Sequence, residues 1–496
     1  MKSKFSLLLV TSAILFSLVG CNEKIAPEEP EKVEPEKPEV VEPSFDKTKI
    51  NLTQKELRGV WFTTVWNIDW PGSTTNVASQ KSEMINYFNL FQKTGINAIF
   101  FQVKSMGDAF YESKYEPWSR FLTGVKGKNP GWDPIRFALD EAHKRGMQLH
   151  VWMNPYRIET RSDASAKFSP LDSRIPKEIV KDYATIRMYN PALPEARQRL
   201  ADIVTDILTK YKDIDGVHFD DYFYPAPDQC KNKYDDDAEF EKYKKPGQNI
   251  KAWRTDNVNE MVHLIRETIN KIDKNIIFTI SPSGNMEYNS NSMYADVGRW
   301  CRERWIDAVI PQLYWGHKYF DPRLKQFCGL AGKTPVIVGY GTYCFEPNPP
   351  SYNWEFAHAS LFEEEYKLAA AEKQVAGSMH YNASALRNNK VGITNKIRDI
   401  YSKNPRLMPY LGQNEKKPAC PTNVQMKFGK LMWEGEGVQF AVYKDNASGR
   451  RRGKAASLLG VTTEKEFKLP GKGTFYVTAI DKYNNESLVS DMFEVK

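Results

Sequence analysis

Three features of this 496-residue chain predict an α/β fold, a (β/α)8 TIM barrel followed by a small C-terminal β-sandwich. Short runs rich in β-branched and aromatic residues alternate with stretches of helical periodicity from Leu57 onward, the pattern of βαβ units in a parallel sheet. Eight such runs occur before residue 400, the number a closed barrel requires. After Lys417 the helical stretches stop and short alternating segments take over.

The expected strands are LRGVWFTTV (57 to 65), AIFFQV (98 to 103), QLHVWMNP (148 to 155), GVHFDDYFYP (216 to 225), IIFTISPSG (276 to 284), DAVIPQLYW (307 to 315), PVIVGYG (335 to 341) and VAGSMHYN (375 to 382). Helical segments separate them. SQKSEMINYFNLFQKTG precedes the second strand, and DPIRFALDEAHKRG precedes the third with an Asp cap, Pro at the first helical position and Gly at the end. NPALPEARQRLADIVTDILTKY precedes the fourth. An open doubly wound sheet is the rival, but no G-x-G-x-x-G follows the first strand. VQFAVYKD and TFYVTAIDKYNNES then suit a sandwich, and the latter resembles the closing strands of a fibronectin type III domain.

The N-terminus reads differently. Two lysines, the apolar stretch FSLLLVTSAILFSLV and Gly20-Cys21 have the layout of a secretory signal. Leu18-Val19-Gly20-Cys21 resembles a bacterial lipobox, which implies a lipid on Cys21 and a cell-envelope location, at the outer membrane on its periplasmic or surface face. Residues 22 to 43 alternate Pro with eight Glu and three Lys and read as an extended stalk. The resulting organisation is a signal peptide (1 to 21), a linker (22 to 50), the barrel (51 to 412) and the sandwich (417 to 496).

Composition narrows the function. The 41% hydrophobic and 13% aromatic content excludes overall disorder and supplies many flat apolar faces, for which sugar binding is one use. The stalk is acidic and the body correspondingly basic, but without a basic cluster no nucleic-acid partner is expected. Beyond Cys21, Cys230, Cys301, Cys328, Cys344 and Cys420 form no C-x-x-C pair, so neither a metal cluster nor a disulfide scaffold is expected. No cofactor is expected, and the folded body is expected to be a monomer.

In a barrel, polar residues at the C-terminal strand ends share one bowl. Those ends supply Trp66 and Asn67, Gln102, Asn154, Tyr156 and Arg157, then Asp220, Asp221 and Tyr222. Ser281, Gln312, Tyr314, Trp315, Tyr340 and Tyr381 complete the set of expected substrate contacts. Amides and carboxylates bond sugar hydroxyls while aromatic faces stack on the ring, so the set suits a carbohydrate.

Within GVHFDDYFYP, alternation puts His218 and Asp220 on one face. Asp220 is therefore the expected catalytic carboxylate, and Asp221 faces the other way unless the strand has already ended. Burial among aromatics moves a carboxyl pKa upward, as a glycosidase acid requires. A second carboxylate is normally needed across the scissile bond. Asp108, nearest its strand end, is the expected partner, with Asp69, Glu112, Glu116, Glu159 and Glu287 in neighbouring loops.

The motifs RGVWFTTVWNIDWP, GDAFYESKYEPWSRFLTG, WMNPYR, GVHFDDYFYP, ISPSGN and PQLYW, in this order over residues 55 to 400, resemble the glycosyl hydrolase-like family 10 lipoproteins. The resemblance implies a barrel glycosidase acting on a polysaccharide or peptidoglycan glycan strand. Where that resemblance has Arg after the second-strand Gln-Val, this chain carries Lys104, which keeps the charge and loses the bidentate fork.

Two other functions compete. A metal-dependent polysaccharide deacetylase would use a Phe-Asp-Asp similar to HFDD, but it needs paired histidines, and no two of the seven here are four apart. A catalytically inactive glycan-binding lipoprotein needs only the cleft.

Overall fold

The computed structural model describes residues 45–53, 55–412, 415–448 and 451–496. The apolar leader, Cys21 and the stalk through residue 44 lie outside the described residues.

Eight parallel strands close into a barrel. They are β1 (Leu57–Phe62), β2 (Ala98–Lys104), β3 (Gln148–Met153), β4 (Gly216–Phe219), β5 (Ile277–Ile280), β6 in two pieces (Ala308–Val309 and Gln312–Leu313), β7 (Val336–Tyr340) and β8 (Val375–His380). Each pairs with the next, and β8 returns to β1 with Gly377 opposite Leu57. Pro311 lacks a backbone N–H and lies between the two pieces of β6.

A helix follows each strand: α1 (Val77–Thr94), α2 (Pro134–His143), α3 (Pro194–Lys210), α4 (Ile250–Asp273), α5 (Val297–Arg302), α6 (His317–Ala331), α7 (Ser360–Ala371) and α8 (Ile393–Lys403). Their starts are written in the sequence. The Asn76 and Asp133 side chains accept from the backbone N–H groups of Ser79 and Arg136, and Pro134 and Pro194 occupy first-turn positions. In α2 the buried residues Ile135, Ala138, Leu139 and Ala142 follow the helical spacing that turns one face to the sheet. Burying each larger aliphatic side chain contributes about 1.5–3 kcal/mol.

Strand alternation sorts side chains into two cores. Trp61, Phe100, Trp152, Ile277, Ile337 and Met379 fill the barrel interior. Phe62, Phe101, Val151, Phe219, Phe278 and Val338 pack outward against the helices. The large interior rings need small neighbours: a Cβ on Gly339 would sit 2.7 Å from the Pro311 carbonyl oxygen and 3.0 Å from Trp61.

The connection after β3 is enlarged by a three-stranded antiparallel sheet made of Arg157–Thr160, Ile186–Tyr189 and Val180–Asp182. At the C-terminus, a three-stranded and a five-stranded sheet bury a separate core around Leu431, Trp433, Phe440, Val442, Phe475 and Val477. Asn51 and Leu52 join the larger sheet beside Ala455 and Ala456. Gln439 Nε2 donates to the Gly146 carbonyl at 3.1 Å, and the Tyr483 hydroxyl donates to Asp273 at 2.8 Å. Gly146 precedes β3 and Asp273 ends α4 ahead of β5, so these sheets pack on the N-terminal end of the barrel. The opposite end stays open.

Candidate active site

At the C-terminal strand ends a cleft of about 290 Å³ is lined by Trp66, Gln102, Arg157, Asp220, Asp221, Tyr222, Ser281, Gln312, Tyr314 and Tyr381 from the expected set. Trp61, Val65, Ile68, Trp152 and Tyr343 also line it. Strand β4 stops at Phe219, so the alternation that would have separated the two aspartates ends before Asp221, and both reach the cleft.

Asp220 is held from below. Its Oδ2 accepts from Trp152 Nε1 at 3.1 Å and from Asn154 Nδ2 at 3.3 Å, while Oδ1 is buried without a hydrogen-bond partner. Burial pushes this carboxyl up to about 7; the Arg157 charge opposes the shift, the neighbouring Asp221 adds to it, and the Trp152 hydrogen bond opposes it. Asp221 is pushed up to about 6, again chiefly by burial, against its own backbone N–H, a hydrogen bond with Gln312 and the Arg157 charge. At neutral pH the pair can hold one proton and present one charge.

Beneath the aspartates lies a polar ladder. Trp61 Nε1 donates to His218 Nε2 at 3.0 Å, and His218 Nδ1 lies 2.8 Å from the Thr279 hydroxyl. Burial holds His218 well below its ordinary pKa, so the ring is neutral; accepting at Nε2 places its proton on Nδ1. Ser281 Oγ lies 3.1 Å from the same Nε2. His218 therefore orders the floor of the cleft.

The walls are aromatic and amide. Tyr314 stacks on Tyr381 with ring centres 5.8 Å apart, and Tyr343 meets both edge-on at 5.7 and 5.5 Å. Gln102 Oε1 accepts the backbone N–H groups of Thr64 and Val65, which leaves its buried Nε2 without a partner. Trp66 stands at the rim, 60% exposed, with a left-handed φ of 49°. Asp69 fixes that loop by accepting from the Thr63 and Ser384 backbones at 2.7 and 2.8 Å.

Five expected contacts lie elsewhere. Tyr340 follows the inward Gly339, so alternation turns it outward to stack on Phe320 and His380. Tyr156 is fully buried in the outer core. Asn154 supports Asp220 from behind and accepts the Arg157 backbone N–H. Asn67 donates to the Gly72 carbonyl within its own loop. Trp315 carries the Arg323 guanidinium 3.7 Å above its ring. The proposed partner, Asp108, also departs from expectation. It lines an adjoining cleft of about 210 Å³ with Glu159 and Arg120, and Trp66 is shared between the two clefts.

Sequence reasoning missed a buried ion pair that supports the site. Lys104 Nζ lies 3.4 Å from Glu116 Oε1, both side chains being 1% exposed, and donates to the carbonyls of Met106 and Asn154 at 2.9 and 3.2 Å. Glu116 also accepts from the Tyr189 hydroxyl at 3.0 Å. Eleven residues of irregular chain separate Lys104 from Glu116, a distance without a periodic signature. Tyr343, in the first turn after β7, could have been found by extending the strand-end rule into the loop. Among the described residues, no group of three or more His, Cys, Asp or Glu side chains is placed to hold a metal ion.

The chain is 33% identical over 480 residues to glycosyl hydrolase YngK of Bacillus subtilis (strain 168), covering 88% of this chain and 93% of that protein. It is 32% identical over 335 residues to glycosyl hydrolase DigH of Escherichia coli (strain K12), covering 60% of this chain and 75% of that protein. The glycoside hydrolase domain of PgaB (BpsB) from Bordetella bronchiseptica superposes at TM-score 0.46 and 11% identity, covering 70% of this chain and 98% of that domain. The glycosyl hydrolase-like 10 model matches residues 56–329, and the chain belongs to that family.

Proposed function

We propose that this protein hydrolyses O-glycosidic bonds in a polysaccharide or peptidoglycan glycan strand, with Asp220 delivering a proton to the leaving oxygen. The observation that carries this reading is Asp220 itself. It is a carboxyl in an aromatic-walled cleft with one bare oxygen, and burial raises its pKa to about 7. Such a group holds a proton near neutral pH and releases it to an oxygen that becomes basic as its bond breaks. Tyr314, Tyr381 and Tyr343 offer faces for a sugar ring, and Gln102 Nε2 offers a donor for a hydroxyl.

Reducing-end release from peptide-free peptidoglycan strands and from a panel of envelope and capsular polysaccharides tests this, with Asp220→Asn beside the wild type. Turnover by the wild type that the variant loses is the expected result. Binding without turnover across the panel favours the inactive glycan-binding lipoprotein.

The lipobox-like LVGC and the Pro/Glu/Lys stalk support attachment to the cell envelope through Cys21, with the barrel held off the membrane as a monomer. Radiolabelled palmitate on the wild type and its loss in Cys21→Ser is the matching test.

A further inference from the structure

The carboxylates lining the cleft are Asp220 and Asp221, and they follow one another at the end of β4. Consecutive Cα atoms are about 3.8 Å apart, so both side chains rise from one wall. A two-carboxylate glycosidase instead flanks the scissile bond, with its groups about 5–5.5 Å apart for retention or about 6.5–9.5 Å apart for inversion. Nearby carboxylates are engaged elsewhere. Asp69 accepts two backbone N–H groups, Glu116 faces Lys104 and Tyr189, and Glu159 accepts from Ser169. Asp108 has one buried oxygen without a hydrogen-bond partner, and it opens on the adjoining cleft and not on this one.

Among the described residues, no third carboxylate lines this cleft to flank the anomeric carbon from the far side. We propose that the substrate carries the nucleophile: the sugar bound against Asp220 and Asp221 is a 2-acetamido sugar whose own carbonyl oxygen attacks C1. This rests on the reading of Asp220 as the acid.

In the first step the Asp220 hydroxyl gives its proton to the glycosidic oxygen as the bond from C1 to that oxygen breaks, and the acetamido oxygen bonds to C1. The product is a fused five-membered oxazolinium ion with its positive charge shared onto N–H. Asp221, steadied by Gln312, accepts a hydrogen bond from that N–H and balances its charge. In the second step water adds to C1, its proton passes to the Asp220 carboxylate, and the bond from C1 to the acetamido oxygen breaks. One water is consumed, the acetamide is restored, and two inversions at C1 retain the configuration. Trp61, Trp152 and Tyr381 supply an apolar surface for the acetamido methyl.

The test uses peptide-free peptidoglycan strands, the same strands with N-acetyl exchanged for N-trifluoroacetyl, and a thiazoline analogue of N-acetylglucosamine. Fluorine weakens the carbonyl nucleophile with little change in size. The expected results are a loss of cleavage of at least about 100-fold on the fluorinated strands, a first-formed product of retained anomeric configuration by NMR, and competitive inhibition by the thiazoline. Asp221→Asn should lose both turnover and thiazoline affinity, with an unchanged circular dichroism spectrum. Equal cleavage of the two strands, or an inverted product, overturns the inference and leaves the glycosidase reading standing. Absence of cleavage on the acetylated strands, with cleavage of an unrelated polysaccharide lacking amino sugars, also overturns the inference alone. No cleavage of any glycan overturns both.

Discussion

The indole N–H of Trp152 donates to Asp220 Oδ2 at 3.1 Å from inside the barrel, while Asp220 Oδ1 is buried without a hydrogen-bond partner. One carboxyl oxygen is thus anchored and the other is free to act. The anchor also sets protonation, because an N–H donor favours the charged form and opposes the upward shift that burial imposes.

Trp152→Phe keeps the ring and removes the donor. Asp220 should then titrate above its present value of about 7, so the alkaline limb of the pH–rate profile moves to higher pH. Loss of one hydrogen bond to a chargeable group should lower kcat/KM by about 10-fold or more. A pH profile of the variant that overlays the wild type removes the indole from this role.

Asp220→Asn should abolish turnover and also stabilise the fold at neutral pH. The folded carboxyl, raised to about 7 from an ordinary 3.8, keeps a proton that the unfolded chain has released. Stability is therefore highest below about pH 4 for this group and falls as pH rises through 7. An uncharged amide escapes that loss, so the variant should gain on the order of 2–4 kcal/mol at pH 7.5 and nothing at pH 4. Thermal melts at the two pH values decide it, and a variant less stable at both would show that the charged form is not penalised.

The barrel was legible because its signal is local. β-Branched runs such as Ile99 to Val103 and capped helices such as Asp133 with Pro134 carry their own instructions. The cleft was legible only as far as the strand-end rule reaches. Tyr340 sits at a strand end yet points outward because Gly339 takes the inward place, and Asp221 enters the cleft because β4 stops one residue before Asp220. The position of Asp108 depends on the path of its loop, which no periodicity encodes.

Trp66 gives a separate test of the rim. A bulky residue at φ 49° is strained, and such strain persists where the surroundings impose it, often at ligand sites. Trp66→Gly removes an exposed ring and relaxes the backbone, so the melting temperature should hold or rise slightly. The KM for long glycan strands should rise about 3- to 10-fold with kcat little changed, the pattern of lost ground-state binding. An unchanged KM on polymer takes Trp66 out of the binding surface.

The Lys104–Glu116 pair links stability to the site from beneath. Lys104 is buried, and its ammonium is satisfied by Glu116 and by the carbonyls of Met106 and Asn154. Asn154 in turn donates to Asp220, so this cation orders the chain that positions the acid. Burial pushes the Glu116 carboxyl up to about 7 against the Lys104 charge, so above that pH Glu116→Gln removes the counter-charge from a buried ammonium, and breaking such a pair costs about 3–5 kcal/mol. Replacing both partners, as Lys104→Met with Glu116→Gln, removes the unpaired charge and should recover part of that loss. Activity should not recover with it, since the carbonyls of Met106 and Asn154 still lack their donor. Urea unfolding and kcat/KM on the single and double variants separate the two effects, and a double variant that regains activity along with stability shows that Lys104 acts on the fold alone.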